Sequence, residues 1–119
     1  MTNKENNDSI RPWGRYFIID DNSSYKIKRI EVEPKSRLSY QFHKKRSETW
    51  IIIQGEGVVT IEGKDQKIIQ GDTITIPKTL KHRIENTGNK KLIFIEVQTG
   101  IYFGEDDIVR VEDDYNRIK

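Results

Sequence analysis

A chain of 119 residues holds one domain with one hydrophobic core and is too short for two. Its 21 Lys+Arg and 19 Asp+Glu nearly cancel, so no global field draws it to nucleic acid or an anionic membrane, and any anion must be bound locally. Without cysteine, disulfide scaffolds and thiolate metal sites are excluded.

No apolar run approaches the ~20 residues a membrane span needs, and the start "MTNKENNDSI" has no apolar leader core, so a cytoplasmic protein is expected. The aliphatic residues are skewed: nineteen isoleucines, three leucines and no alanine. Isoleucine is stiff at χ1 and fits a pleated surface, whereas helices favour alanine and leucine. The fold class expected is all-β.

In chain order, residues 1–9 are expected to form a flexible segment and residues 10–119 a single domain. Strand-like runs follow at Tyr16–Asp20, Tyr25–Glu33, Leu38–His43, Thr49–Gln54, Val58–Glu62, Gln66–Gln70, Thr73–Ile76, His82–Asn86 and Leu92–Gln98. Turn-forming stretches such as "DDNSS", "EPKS", "EGKD", "QGD" and "NTGN" separate them. Short strands at this spacing indicate a sandwich or barrel. Gly55, Gly57, Gly63 and Gly71 read as turn residues, and Trp13 and Trp50 as packing anchors.

The stretch "YQFHKKRSETWIIIQGEG" sets unusual charge against an apolar strand. If the strand through Leu38–His43 continues, alternation places Gln41, His43 and Lys45 on one face. Glu48 follows closely, and the other histidine, His82, opens a later strand. Two imidazoles, a carboxylate and an amide oxygen converging in one cavity could hold a divalent cation, Zn, Mn, Ni, Co or Fe, because such ligand sets discriminate among these poorly.

These residues carry a resemblance. His43, Lys45, Glu48 and Gly55 fall at the spacing of the first cupin motif, with Lys45 where a second histidine is usual. Gly71, Pro77, His82 and Asn86 fit the second motif. The chain resembles a cupin, a double-stranded β-helix or jelly-roll-like barrel. Within the cupins it is most similar to the C-terminal domain of type II mannose-6-phosphate isomerases, often fused to mannose-1-phosphate guanylyltransferases. "RPWGRY", "LSYQFHKKRSETW" and "EVQTGIYFGEDDIVRVEDDY" carry that likeness, which covers about residues 10–117. No Gly-rich phosphate loop occurs, so guanylyl transfer is not expected of these residues.

The resemblance implies metal ligands His43, Glu48 and His82, with Gln41 replacing the missing histidine. It also implies isomerisation of mannose 6-phosphate to fructose 6-phosphate. That reaction needs a base near the carbon and positive charge near the oxygens. Glu85, Lys45 and a metal-bound water are the candidate bases, Lys45 being alternatively a phosphate contact. Arg110, then Arg83 and Lys81, are the expected phosphate ligands. The rival reading is a non-catalytic sugar-binding cupin or a partner subunit of a separate guanylyltransferase. A homodimer that covers sheet edges is expected.

Overall fold

Isoleucine, valine and aromatic residues at alternate positions give strands with one dry face, and two such faces close on each other. The structure is a computed structural model that describes residues 9–118, so the expected flexible segment lies, but for Ser9, outside the described residues. The elements are β1 (Ile10–Arg11), β2 (Gly14–Asp21), β3 (Tyr25–Val32), β4 (Tyr40–Phe42), β5 (Arg46–Gln54) and β6 (Glu56–Ile61). They continue with β7 (Lys64–Ile69), β8 (Thr73–Ile76), β9 (His82–Asn86), β10 (Leu92–Gly100) and β11 (Val109–Glu112). Among the described residues every helix or strand is a strand, as the isoleucine bias implies.

Two antiparallel sheets form, one ordered β1-β2-β3-β10-β5-β8 and the other β11-β4-β9-β6-β7. Between them lies a core of Trp13, Ile30, Val32, Trp50, Ile52, Val59, Ile68, Ile74, Ile76, Ile84, Leu92 and Phe94. Both tryptophans are thus packing residues. Asn86, fully buried, ties the sheets together: its Nδ2 donates to the carbonyls of Val32 (2.9 Å) and Lys90 (2.8 Å), while its Oδ1 accepts from Gly88 N.

Most runs read from the sequence coincide with strands, and two differences matter. β11 comes from "VRVE", too short and charged to stand out. β5 starts at Arg46 rather than Thr49, three residues earlier, because its inward charged side chains satisfy one another.

The inner face of the larger sheet is continuous across three strands. β3 contributes Val32, Ile30, Lys28 and Lys26; β10 contributes Leu92, Phe94, Glu96 and Gln98; β5 contributes Ile52, Trp50, Glu48 and Arg46. The register sets Phe94 between Ile30 and Ile52, then Glu96 between Lys28 and Trp50, then Gln98 between Lys26 and Glu48. One end of the barrel is therefore dry and the other is lined with buried charge.

Candidate functional site

Alternation back from Trp50 puts Glu48 and Arg46 on the inner face, 2% and 3% exposed. Arg46 Nε and Nη2 donate to Glu48 Oε2 at 2.9 and 2.8 Å, and Trp50 Nε1 donates to Glu48 Oε1 at 2.9 Å. Burial opposes the charge on Glu48, but the His43 hydrogen bond and the Arg46 charge outweigh it and hold the carboxyl well below its usual range. Without such partners, two ions at a strand start would be too costly to bury.

His43 follows β4 and His82 opens β9, with ring centroids 5.1 Å apart. Each Nδ1 faces a backbone carbonyl, Asp107 O at 2.7 Å for His43 and Leu80 O at 2.9 Å for His82. A carbonyl only accepts, so Nδ1 carries a proton in each ring and Nε2 is the nitrogen turned toward the cluster; the His43 Nε2 that donates to Glu48 would give up that proton to a bound metal. His43 Nε2 stands 3.1 Å from Glu48 Oε2. His43, Glu48 and His82 offer ligand atoms within 4.8 Å of one another, and all three are buried. Burial, with the nearby positive groups, keeps the His82 pKa below its ordinary value, and the neutral ring is the form a metal needs.

Gln41 lines the same cavity, directly opposite His82 in register. Its Nε2 donates to Ser39 Oγ at 2.9 Å, which leaves Oε1 as its other polar atom. Arg110 stands opposite Gln41 on the other side and also lines the cavity. Arg83 lines it too, donating from Nε to Leu38 O at 3.1 Å, whereas Lys81 is exposed and does not line it.

Lys45 is not in the cavity. β4 ends at Phe42, so the alternation that would turn Lys45 inward stops before reaching it. The chain instead bends over residues 43–45, held by Asp107, whose carboxylate accepts from Lys44 N (3.0 Å) and Lys45 N (2.9 Å). Those bonds outweigh burial and lower the Asp107 pKa. The Lys45 side chain is exposed, its Nζ 5.0 Å from the Tyr102 ring centroid. Gly100 lets the bend approach β10, because a methyl there would overlap the Lys45 carbonyl. Glu85 also lies outside, one residue out of phase with the inward His82, Ile84 and Asn86, in a surface groove with Arg37 and Tyr40.

Several cavity residues went unread in the sequence. Arg46, rather than Lys45, supplies the inward cation, and alternation from Glu48 would have found it. Lys28 and Glu96 lie two residues from the core side chains Ile30 and Phe94, which is a usable signal. Burial first, then the charge of Glu48, raises the Glu96 carboxyl to about 7, and its Oε2 accepts from Gln98 Nε2 at 2.6 Å. Lys28 pairs with Glu105 at 2.5 Å across 77 residues of sequence, and that partnership, like the role of Asp107, had no local signature.

The cavity these residues enclose is about 110 Å³. Since a single water needs about 10–15 Å³ on this measure, it takes a polar ligand several waters in size.

Comparison with known proteins places this geometry. The family described as mannose-6-phosphate isomerase C-terminal matches residues 2–113. Mannose-1-phosphate guanylyltransferase of Salmonella montevideo is 45% identical over 107 residues, 90% of this chain and 23% of that protein. The enzyme of the same name from Escherichia coli K12 is 43% identical over 108 residues, 91% of this chain and 23% of that protein. The chain thus spans about a quarter of the length of these relatives. The cupin domain of Schizosaccharomyces pombe Cnp3 superposes with a TM-score of 0.70 at 14% identity, covering 72% of this chain and 64% of that one, and supports the cupin fold alone. These matches correct one expectation: the relatives are guanylyltransferases, not isomerases, so mannose 6-phosphate isomerisation is not carried over to this chain.

Proposed function

The chain belongs to the mannose-6-phosphate isomerase C-terminal family and has the cupin fold, and from that premise we propose that it is a metal-holding, sugar-binding module serving mannose-1-phosphate guanylyl transfer. The observation that carries this is the buried His43, Glu48, His82 cluster inside a ligand-sized cavity. The residues suit a divalent cation: both Nδ1 protons are committed to carbonyls, both Nε2 atoms are turned to the cluster where they would be ligands, and the carboxylate is ionised. Gln41 stands where a fourth, amide ligand would come from.

A bound cation would act as a Lewis acid that grips neighbouring sugar hydroxyls. Everything else falls to the protein's own groups. Trp50 and Arg46 fix the Glu48 carboxylate, and Asp107 and Leu80 fix the two rings. Lys28 and Arg46 set positive charge beside the polar end, and burial excludes water from it. The activity proposed is capture and presentation of a sugar ligand, with nucleotidyl chemistry left to a guanylyltransferase, because these residues contain no phosphate loop.

The test is metal analysis of the purified full chain by mass spectrometry, followed by calorimetric titration with mannose and mannose 1-phosphate. About one divalent ion per chain and saturable sugar binding lost in His82→Ala are expected. A metal-free protein that refuses added Mn²⁺ and Zn²⁺ and binds neither sugar would end this reading.

A further inference from the structure

The two sheets treat their outer faces differently. On the smaller sheet charge is set among the outward residues: Val58 stands between Glu85 and Lys67, and Thr60 donates to Asp65 at 2.6 Å. On the larger sheet the corresponding rows are bare. Ile95, Ile51 and Thr73 form one cross-strand row, and Val97, Thr49 and Thr75 form the next. Ile93 and Ile53 continue the apolar strip toward one end of the strands, and Thr99 and Ser47 toward the other. No outward residue of β10, β5 or β8 is charged, in a chain of which 34% is charged.

This face meets water. Ile51 and Ile53 are 40% and 46% exposed, Thr73 and Thr75 are exposed, and Ile93, Ile95 and Val97 are half-buried. A single exposed isoleucine needs no explanation, but a contiguous apolar patch of more than a few hundred Å² marks a place where something docks.

The extent of the face is that of a small protein interface. Ile27 of β3 lies beside Val97 and carries the apolar surface onto a fourth strand. Four strands across seven residues measure about 19 by 24 Å, roughly 450 Å² of plane per copy and about 900 Å² for two. Side-chain relief raises this to the ~1,000 Å² at which specific pairs begin. The border is polar, as an interface rim is: on β3, Arg29 pairs with Glu31 at 3.3 Å.

The chemistry of the patch selects its occupant. A charged partner would find no counter-charge across β10, β5 and β8 and would lose hydration without return. A second identical patch brings only β-branched side chains and hydroxyls, and two pleated faces of that kind interdigitate about 10 Å apart.

We infer that the outer face of β3, β10, β5 and β8 is a self-association surface, on which a second copy of this chain packs face to face about a twofold axis. The contact lies on a sheet face, away from the sheet edges where the sequence alone places a homodimer. It is independent of the cavity and of the proposed sugar-binding role, and its area at the low end of specific interfaces gives a dissociation constant on the order of micromolar.

The experiment is sedimentation velocity on the full chain, from low micromolar to near-millimolar concentration, for the wild type and for variants at Ile51 and Ile69. The wild type should pass from monomer to dimer across that range. Ile51→Lys and Ile51→Glu should each weaken association at least about a hundredfold, because like charges then meet across the axis. An equimolar mixture of the two should regain part of it, which a folding defect would not allow. Ile51→Thr keeps the β-branched shape of a strand residue and should weaken the dimer about tenfold. Ile69→Lys, on an exposed residue of β7 in the other sheet, should dimerise as the wild type does. Circular dichroism and metal content should be the same in all of them.

A wild type that stays monomeric throughout overturns the inference, including one that co-sediments only with an added guanylyltransferase. A dimer that survives both Ile51→Lys and Ile51→Glu, or that Ile69→Lys dissociates, overturns it as well, by placing the contact on an edge or on the other sheet.

Discussion

β3, β10 and β5 each run from a dry end to a charged end along one inward face; the change comes at the same level in β3 and β10 and one inward residue later in β5, where Trp50 stands beside Glu96. Val32 and Ile30, Leu92 and Phe94, and Ile52 and Trp50 form the dry half; Lys28 and Lys26, Glu96 and Gln98, and Glu48 and Arg46 form the other. Backbone, pairing and burial are the same in both halves, so only the side chains differ. The dry half gains by removing apolar area from water, on the order of 25 cal/mol per Å². The charged half has no such gain, and its residues are tolerated because each has a partner, Arg46 with Glu48 and Gln98 with Glu96 each along one strand, and Lys28 and Lys26 with Glu105 and the Phe103 carbonyl beyond β10. The dry half accounts for the fold, and the polar half is where binding chemistry is available.

The largest effect should come from breaking the dry half. Phe94 is fully buried and its ring centroid lies 4.8 Å from that of Trp50. Phe94→Ala should cost about 3–5 kcal/mol of stability in urea unfolding. If the two halves are separable, the variant that remains folded should keep its metal content.

Glu48→Gln should act in the reverse sense. It keeps the shape and an acceptor for Trp50 Nε1, but leaves the Arg46 guanidinium buried without its counter-charge. A loss of about 2–3 kcal/mol is expected, together with loss of divalent metal. Metal binding at wild-type affinity in this variant would mean that the cluster is not the metal site.

The halves should also respond differently to pH. Glu96 titrates near 7 in the folded chain against a usual 4.5. Between those values the folded state retains a proton that the unfolded chain has released, so stability falls as pH rises through that window and levels off above it. Glu48 works with the opposite sign: its pKa is depressed, so its stabilisation is present above the usual 4.5 and is lost as pH falls toward its folded value. Glu96→Gln should flatten the decline from pH 4.5 to 7, read from urea midpoints, and leave the acid limb intact. A decline of the same slope in that variant would show that another group causes it.

The dry half was readable from the sequence because its residues announce themselves by period and type. Thr73–Ile76 and His82–Asn86 are strands with the boundaries the pattern gives, and motif spacing brings together His43, Glu48 and His82, which are clustered in the fold. The charged half was harder, because buried charges look like surface charges unless the register is already known. Lys28, Glu96 and Arg46 are all on the inward phase of their strands, yet their residue types point outward. Asp107 lies 62 residues from the Lys45 amide it binds, a separation no local pattern encodes.

That contact sets the smallest and sharpest prediction. Alternation carried on from Gln41 and His43 makes Lys45 an inward residue, and under that view Lys45→His restores a metal ligand. Asp107 instead caps the bend and leaves Lys45 exposed beside Tyr102. An exposed cation over an aromatic ring is worth about 0.5–1 kcal/mol at most, so Lys45→His should shift stability by about 0.5 kcal/mol and leave metal affinity unchanged. Asp107→Ala frees the bend, and only in that background should a histidine at position 45 reach the cavity. Tighter metal binding in the single variant would show that the bend yields without Asp107 being removed, and would extend the charged half of the barrel beyond the start of β5.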